Sequence, residues 1–87
     1  MANNTSLPLL AITMGDPAGC GSEIIAKVLT NDDVYTLSLP IVIGSARVMR
    51  WALDVLGRQA KVLVIKEPSD AQFVPGIINV IDPELFD

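Results

Sequence analysis

The 87-residue sequence contains no histidine and a single cysteine, Cys20. Without histidine, this chain alone cannot complete a Ser–His or Cys–His catalytic pair or a histidine-ligated metal site. One cysteine excludes a disulfide framework and a cysteine-based zinc site, and it is typical of a reducing compartment. The sites that depend on these two residue types are therefore excluded from this chain.

Positive charge and long apolar runs are also scarce. The six Lys and Arg residues are dispersed in a chain of net charge −4, which lacks the basic stripe that nucleic acid requires. No basic residue precedes the first apolar run, and no run approaches the ~18–20 apolar residues that span a bilayer. We expect no nucleic-acid binding, no signal peptide and no membrane span.

Apolar residues are abundant, at 51% of the sequence, and they predict a folded core. The chain is nevertheless short for a complete domain of about 100–200 residues. A chain of this size buries only a little over ~60% of its extended surface, and its mean hydropathy of +0.49 is high. We therefore expect the chain to associate or to be part of something larger.

Two patterns open the chain. The apolar run of residues 7–13, which ends in turn residues, predicts a strand buried on both faces, as in a parallel sheet. Apolar residues then recur at helical spacing over residues 22–29, which predicts a helix. Residues 34–39 are interpreted as a connection, and a second helix is predicted over Ala46–Leu56.

The second helix carries signals for both of its ends, with Ser45 as the N-cap and Gly57 as the C-terminal stop. A second buried strand is predicted at residues 41–43, and two more strands are predicted at residues 61–65 and 77–81. This order of elements predicts a largely parallel α/β sheet. Because two helices cannot cover both faces of four parallel strands, we expect residues 1–87 to form a partial α/β domain.

The unusual segment is residues 13–23, TMGDPAGCGSE, which places three glycines and a proline between the first strand and the first helix. Glycines let a ligand approach the backbone, and a helix start presents free N–H groups that favour negative charge. Open α/β sheets bind ligands at such loops. The alternative is a tight turn that simply needs glycine, because the segment lacks the third glycine of a dinucleotide fingerprint and the lysine of a P-loop.

Three side chains of this loop leave alternatives open. Asp16 precedes Pro17 and either braces the turn or hydrogen-bonds a ribose or substrate hydroxyl. Glu23 is either a first-turn residue favoured by the helix dipole or a catalytic base. Cys20 has no neighbouring base in the sequence that would activate it as a nucleophile.

Residues 11–25, AITMGDPAGCGSEII, resemble the opening of the 4-hydroxythreonine-4-phosphate dehydrogenase family. That family includes relatives that act on D-threonate or D-erythronate 4-phosphate. The resemblance continues through residues 40–49 and 73–82, the latter being closer to the sugar-acid branch. Cys20 and Ser22 replace the Ile and Pro that are usual in the family.

The resemblance implies the N-terminal portion of an isocitrate/isopropylmalate-dehydrogenase-like fold. It implies a cytoplasmic, homodimeric oxidoreductase, typical of pyridoxine biosynthesis, that uses NAD and a divalent metal (Zn, Mg or Co). Such an enzyme oxidises and decarboxylates 4-hydroxythreonine 4-phosphate or a related four-carbon sugar-acid 4-phosphate, and has no nucleic-acid or membrane partner.

The resemblance also assigns the site residues. The metal-ligating histidines and the phosphate-binding residues of the family lie later in its chains, so no catalytic or metal-ligating residue is expected here. Gly15, Asp16, Gly19 and Gly21 are the candidate cofactor-binding residues. We expect the 87-residue chain to be inactive by itself. The alternative is a non-catalytic α/β module that binds a nucleotide or anion, or that dimerises through its open sheet edge.

Overall fold

The computed structural model describes residues 7–14 and 21–85. Its helices and strands are, in order, β1 (Leu9–Thr13), α1 (Gly21–Leu29), α2 (Val34–Leu37), β2 (Leu39–Ile43), α3 (Ala46–Leu56), β3 (Lys61–Val64) and β4 (Ile77–Ile81). All four strands are parallel and form one sheet in the order β1-β2-β4-β3. The predicted α/β class with a parallel sheet and flanking helices is confirmed.

One face of the sheet carries the core. The parallel register places in one row the side chains of Ile12, Val42, Val80 and Val64. Helices α1 and α3 pack against each other, and their buried residues form one apolar cluster with this face. This cluster contains most of the buried apolar side chains of the described residues. Burial of one large apolar side chain stabilises the fold by roughly 1.5–3 kcal/mol.

The opposite face is covered only in part. Asn79 of β4 lies on it and is 2% exposed. Its side-chain amide donates to the Gln72 carbonyl oxygen at 2.9 Å and accepts from the Gln72 N–H at 2.9 Å. The segment around Gln72 therefore lies against the sheet at β4, whereas Ala11 and Thr13 of β1 are exposed on the same face. Within the described residues, this face is therefore covered at β4 and exposed at β1.

The prediction that the first strand is buried on both faces is wrong. Among the described residues, β1 is an edge strand with β2 as its neighbour, and Leu9 and Leu10 are 54% and 45% exposed. An apolar run indicates that a strand can be buried, but strand order decides whether neighbours cover it. The strand is also shorter than the apolar run of residues 7–13, because β1 begins at Leu9.

Residues 34–39 are not the simple connection that was predicted. They form the short helix α2 and the first residue of β2, which begins at Leu39. Tyr35 of α2 is buried, and its hydroxyl lies 3.2 Å from the Leu29 carbonyl oxygen and 2.9 Å from that of Ile77. Burial, and to a smaller degree the Asp32 carboxylate, raise the pKa of Tyr35 above its ordinary value. The phenol thus ties the end of α1 to the start of β4.

Both predicted ends of α3 are confirmed. The Val48 N–H donates to the Ser45 hydroxyl oxygen at 3.2 Å, as an N-cap requires. At the other end, Gly57 has φ +65° and its N–H donates to the Leu53 and Asp54 carbonyl oxygens.

Over the residues that the structure describes, no helix has both the length and the apolar character to cross a membrane.

Candidate functional site

A cleft of about 690 Å³ opens at the carboxyl end of the sheet. It is lined by residues 13–14 after β1, residues 43–48 and Arg50 from the end of β2 and the start of α3, and residues 82–84 after β4. In open parallel sheets, ligands bind beyond the carboxyl ends of the strands. The cleft therefore occupies the position that the fold favours for a ligand.

Asp82 joins two walls of this cleft. Its side chain is 5% exposed, and its Oδ2 accepts a hydrogen bond from the Ala46 N–H of α3 at 3.0 Å. Its Oδ1 accepts from the Glu84 N–H at 3.1 Å. The carboxylate satisfies N–H groups that would otherwise lack partners, and its charge is favoured at the start of a helix. Asp82 thus fixes the start of α3 against the end of β4.

Two arginines give the cleft its positive side. Arg47 and Arg50 are exposed residues of the first turns of α3, and both line the cleft. Glu84 is exposed on the β4 side. Guanidinium groups bind phosphate and carboxylate through paired hydrogen bonds, so an anionic ligand is the class that the α3 side of the cleft suits.

Three backbone segments converge at Met14, which is 6% exposed. A Cβ atom at Gly21 would lie 2.9 Å from the Met14 carbonyl oxygen, and one at Gly44 would lie 2.7 Å from the Met14 Cβ atom. Separations this short exclude a side chain unless the backbone moves. Glycine at both positions therefore lets the start of α1 and the end of β2 approach the end of β1.

Ser22 lies in the first turn of α1 and is 1% exposed. Its hydroxyl oxygen is buried and has no hydrogen-bond partner among residues 7–14 and 21–85. Burial of an unpaired hydroxyl costs roughly 1–3 kcal/mol, so such a group usually has a partner when the site is complete. This hydroxyl lies at the start of α1, the end of a helix that favours an anionic group.

The residues predicted to bind a cofactor are only partly placed. Gly21 begins α1 and packs against Met14. Gly15, Asp16 and Gly19 lie outside the described residues. Ser22, Asp82 and the two arginines of α3 were not predicted as site residues. The sequence does contain one pattern that indicates the role of Asp82, an Asp–Pro pair directly after a strand. An aspartate in this position typically accepts hydrogen bonds from nearby backbone N–H groups.

The described residues do not fit a divalent metal. Within residues 7–14 and 21–85, no group of three or more His, Cys, Asp or Glu residues could hold an ion. Among the described residues, Asp82 and Glu84 are the carboxylates that line the cleft, and each oxygen of Asp82 accepts a hydrogen bond from a backbone N–H. No chemical step of this chain is therefore assigned to a metal.

The fold and the cleft define a class: a parallel α/β protein with a cleft at the carboxyl ends of its strands. No family model matches the chain. It is 43% identical over 81 residues to the D-threonate 4-phosphate dehydrogenase of Pectobacterium atrosepticum, which covers 91% of this chain and 24% of that protein.

Solved structures agree. The 4-hydroxythreonine-4-phosphate dehydrogenase of Burkholderia phymatum superposes with a TM-score of 0.87 at 38% identity, over 93% of this chain and 24% of that one. The enzyme of the same name from Klebsiella pneumoniae gives 0.74 at 40% identity, over 88% and 23%. The resemblance to the 4-hydroxythreonine-4-phosphate and D-threonate 4-phosphate dehydrogenases is confirmed. The chain spans about a quarter of the length of these relatives.

Proposed function

We propose that this chain is the part of an NAD-dependent dehydrogenase that forms one wall of its cofactor cleft. The whole enzyme would oxidise and decarboxylate 4-hydroxythreonine 4-phosphate or a related four-carbon sugar-acid 4-phosphate. The observation that supports this most is the TM-score of 0.87 at 38% identity to a 4-hydroxythreonine-4-phosphate dehydrogenase over 93% of the chain.

The start of α1 is the part of the chain that suits the cofactor. NAD carries a doubly negative pyrophosphate, which helix N-termini bind through their free N–H groups. The first-turn N–H groups and the buried, unpaired Ser22 hydroxyl provide such donors. In this proposal the backbone at Gly15, Gly19 and Gly21 lies against the cofactor, and Asp16 accepts a hydrogen bond from a hydroxyl group. When bound, NAD accepts the hydride of the secondary alcohol.

A divalent metal would be held by residues beyond this chain, because the described residues offer no cluster of ligands. The full-length protein would be a cytoplasmic homodimer that acts on small phosphorylated hydroxy acids. The 87-residue chain alone would be inactive, since it would hold one wall of the cleft without the metal and phosphate sites.

A chimaera tests this function directly. Residues 1–87 replace the matching 24% of the Pectobacterium atrosepticum enzyme, and NAD reduction is measured with 4-phosphorylated hydroxy acids and added Mg²⁺ or Zn²⁺. We expect turnover by the chimaera and none by the 87-residue chain. A folded but inactive chimaera, or turnover by the isolated chain, contradicts the proposal.

Gly19→Val in the chimaera tests the glycine loop. We expect the KM for NAD to rise, because a side chain at Gly19 would hold the cofactor away from the backbone. The control is Leu37→Ala, since Leu37 is 70% exposed and belongs to α2, which precedes β2 at the amino end of the sheet. An unchanged KM for NAD in Gly19→Val removes the loop from the cofactor site.

A second candidate is a non-catalytic module that binds a nucleotide or another anion. It is favoured by features that the chain has by itself, namely the cleft with Arg47 and Arg50 and the unpaired Ser22 hydroxyl. Isothermal titration of the 87-residue chain with NAD separates the two candidates. Heat of binding supports the module, whereas no binding together with an active chimaera supports the incomplete enzyme.

A further inference from the structure

We propose that Asp82 is a positioning residue that holds Arg47 where this arginine binds a phosphate group of a ligand. This role rests on the proposed dehydrogenase function, in which both ligands carry phosphate: NAD in its pyrophosphate and the hydroxy acid at its 4-position. Arg47 lines the cleft, and Asp82 joins the two walls of the same cleft through hydrogen bonds to backbone.

The charged residues of α3 stand in the reverse of the order that a helix favours. Acidic residues are favoured in the first turn of a helix and basic residues in the last. α1 follows this order, with Glu23 in its first turn and Lys27 in its last. The first turn of α3 has no acidic residue and carries Arg47, and its last turn has no basic residue and carries Asp54. Arg47 is therefore placed against the preference of its own helix, which is typical of functional positions.

Asp82 supplies the negative charge that the first turn of α3 lacks. Its carboxylate lies at the end of β4, and Oδ2 accepts a buried hydrogen bond from the Ala46 N–H at 3.0 Å. A carboxylate at the start of a helix offsets the unfavourable position of a nearby guanidinium group. Because Ala46 directly precedes Arg47, the same hydrogen bond fixes the backbone beside the arginine.

The connection from β2 to α3 is tied to the end of β4 at two successive points. The Gly44 N–H donates to the Ile81 carbonyl oxygen at 3.0 Å, and two residues later the Ala46 N–H donates to Asp82. Asp82 and Ala46 are 5% and 1% exposed, so water has little access to their contact. The side chain of Arg47 therefore starts from a fixed backbone, which reduces the entropy that a ligand contact costs.

The carboxylate and the guanidinium group have separate tasks. Both oxygens of Asp82 accept from backbone N–H groups, those of Ala46 and Glu84. The guanidinium group of Arg47 suits phosphate, because its N–H groups match a pair of phosphate oxygens. Asp82 should therefore affect the ligand only through Arg47, and this dependence can be measured.

The test is the steady-state kinetics of the chimaera, because the Pectobacterium atrosepticum enzyme supplies the part that lies outside residues 1–87. KM is measured for NAD at saturating hydroxy acid, and for the hydroxy acid at saturating NAD. Arg47→Ala should raise one of the two KM values about tenfold, and the affected ligand carries the phosphate that Arg47 binds. Asp82→Asn should raise the same KM at least about threefold with kcat nearly unchanged, as a loss of ligand binding alone requires.

A double variant and a control separate positioning from a general loss of stability. Because Asp82 acts through Arg47, the variant with both Arg47→Ala and Asp82→Asn should have the KM of Arg47→Ala alone. Asn79→Ala is the control, since Asn79 is also buried in β4 and its side chain also forms two hydrogen bonds to backbone, away from the cleft. It should lower the melting temperature and leave both KM values unchanged.

The outcomes are distinct. Unchanged KM values in Asp82→Asn, or KM increases that multiply in the double variant, overturn the positioning role. An increase of both KM values in Asp82→Asn, or of either value in Asn79→Ala, also overturns it, because a loosened fold would then be the cause. An inactive parent chimaera contradicts the proposed function and this role with it. An active parent whose KM values resist both substitutions removes only the role of Asp82 and Arg47.

Discussion

Replacing Asp82 by alanine tests the contact that holds the two walls of the cleft together. The carboxylate is 5% exposed and accepts from the Ala46 N–H at 3.0 Å and the Glu84 N–H at 3.1 Å. A hydrogen bond to a charged group contributes about 1.5–3 kcal/mol. The Ala46 bond is buried, whereas the Glu84 bond is partly buried, so water can replace part of the second. We expect Asp82→Ala to lower the free energy of unfolding by about 2–4 kcal/mol.

Urea denaturation measures this loss through circular dichroism and the fluorescence of Trp51, the single tryptophan. A chain of this length is stable by roughly 4–13 kcal/mol, so the expected loss is a large share of the total. The midpoint should fall while the slope with urea stays constant. Hydrogen exchange of the Ala46 amide should lose protection, which identifies the contact that is lost.

Two further variants serve as an intermediate case and as a control for Asp82→Ala. Asp82→Asn keeps one acceptor oxygen and should fall between the parent chain and Asp82→Ala. Asp54→Ala removes an exposed carboxylate from α3 and should change the stability by less than about 0.5 kcal/mol. A loss for Asp82→Ala no larger than that of Asp54→Ala would refute the role assigned to Asp82.

Two other substitutions test the packing of α1 and α2. Gly21→Ala should lower the free energy of unfolding by about 1 kcal/mol, because its Cβ atom would lie 2.9 Å from the Met14 carbonyl oxygen. Urea denaturation measures this loss, with Lys27→Ala as the control variant in the same helix. Equal stability of Gly21→Ala and the parent chain contradicts the prediction. Tyr35→Phe should cost about 1 kcal/mol at neutral pH. Because the pKa of Tyr35 is raised from 10.0 in the fold, the unfolded chain loses this proton first, so the contribution of Tyr35 to stability is constant below about pH 10 and is lost as the pH rises above it. Tyr35→Phe should lack this Tyr35-dependent alkaline loss, and an unchanged alkaline profile would contradict the assignment.

Elements with local end signals could be predicted from the sequence. Ser45 and Gly57 mark the ends of α3 because an N-cap hydroxyl and a left-handed glycine act on backbone groups within one turn. Ile77–Ile81 was predicted with its full bounds because turn residues enclose the apolar run. α2 was missed, since a helix of four residues is too short to show a periodic pattern.

The candidate site was predictable only in its position. The glycine-rich segment indicates that the end of β1 matters, and Gly21 lies there, close to Met14. Asp82 could not be assigned, because its partner, the Ala46 N–H, is 36 residues away in the chain. The unpaired state of the Ser22 hydroxyl is likewise a property of its surroundings in the fold.

By itself, the sequence determined the class of this protein. Periodicity, turn residues and the motif of residues 11–25 act locally, and they are sufficient for a parallel α/β sheet and for the resemblance to a dehydrogenase family. Only the tertiary structure decided that β1 is an edge strand and that β4 lies between β2 and β3. The physical reason is that an apolar strand is compatible with several positions in a sheet, and packing between distant segments selects one. That selection exposes Leu9 and Leu10, and it brings Asp82 to the start of α3.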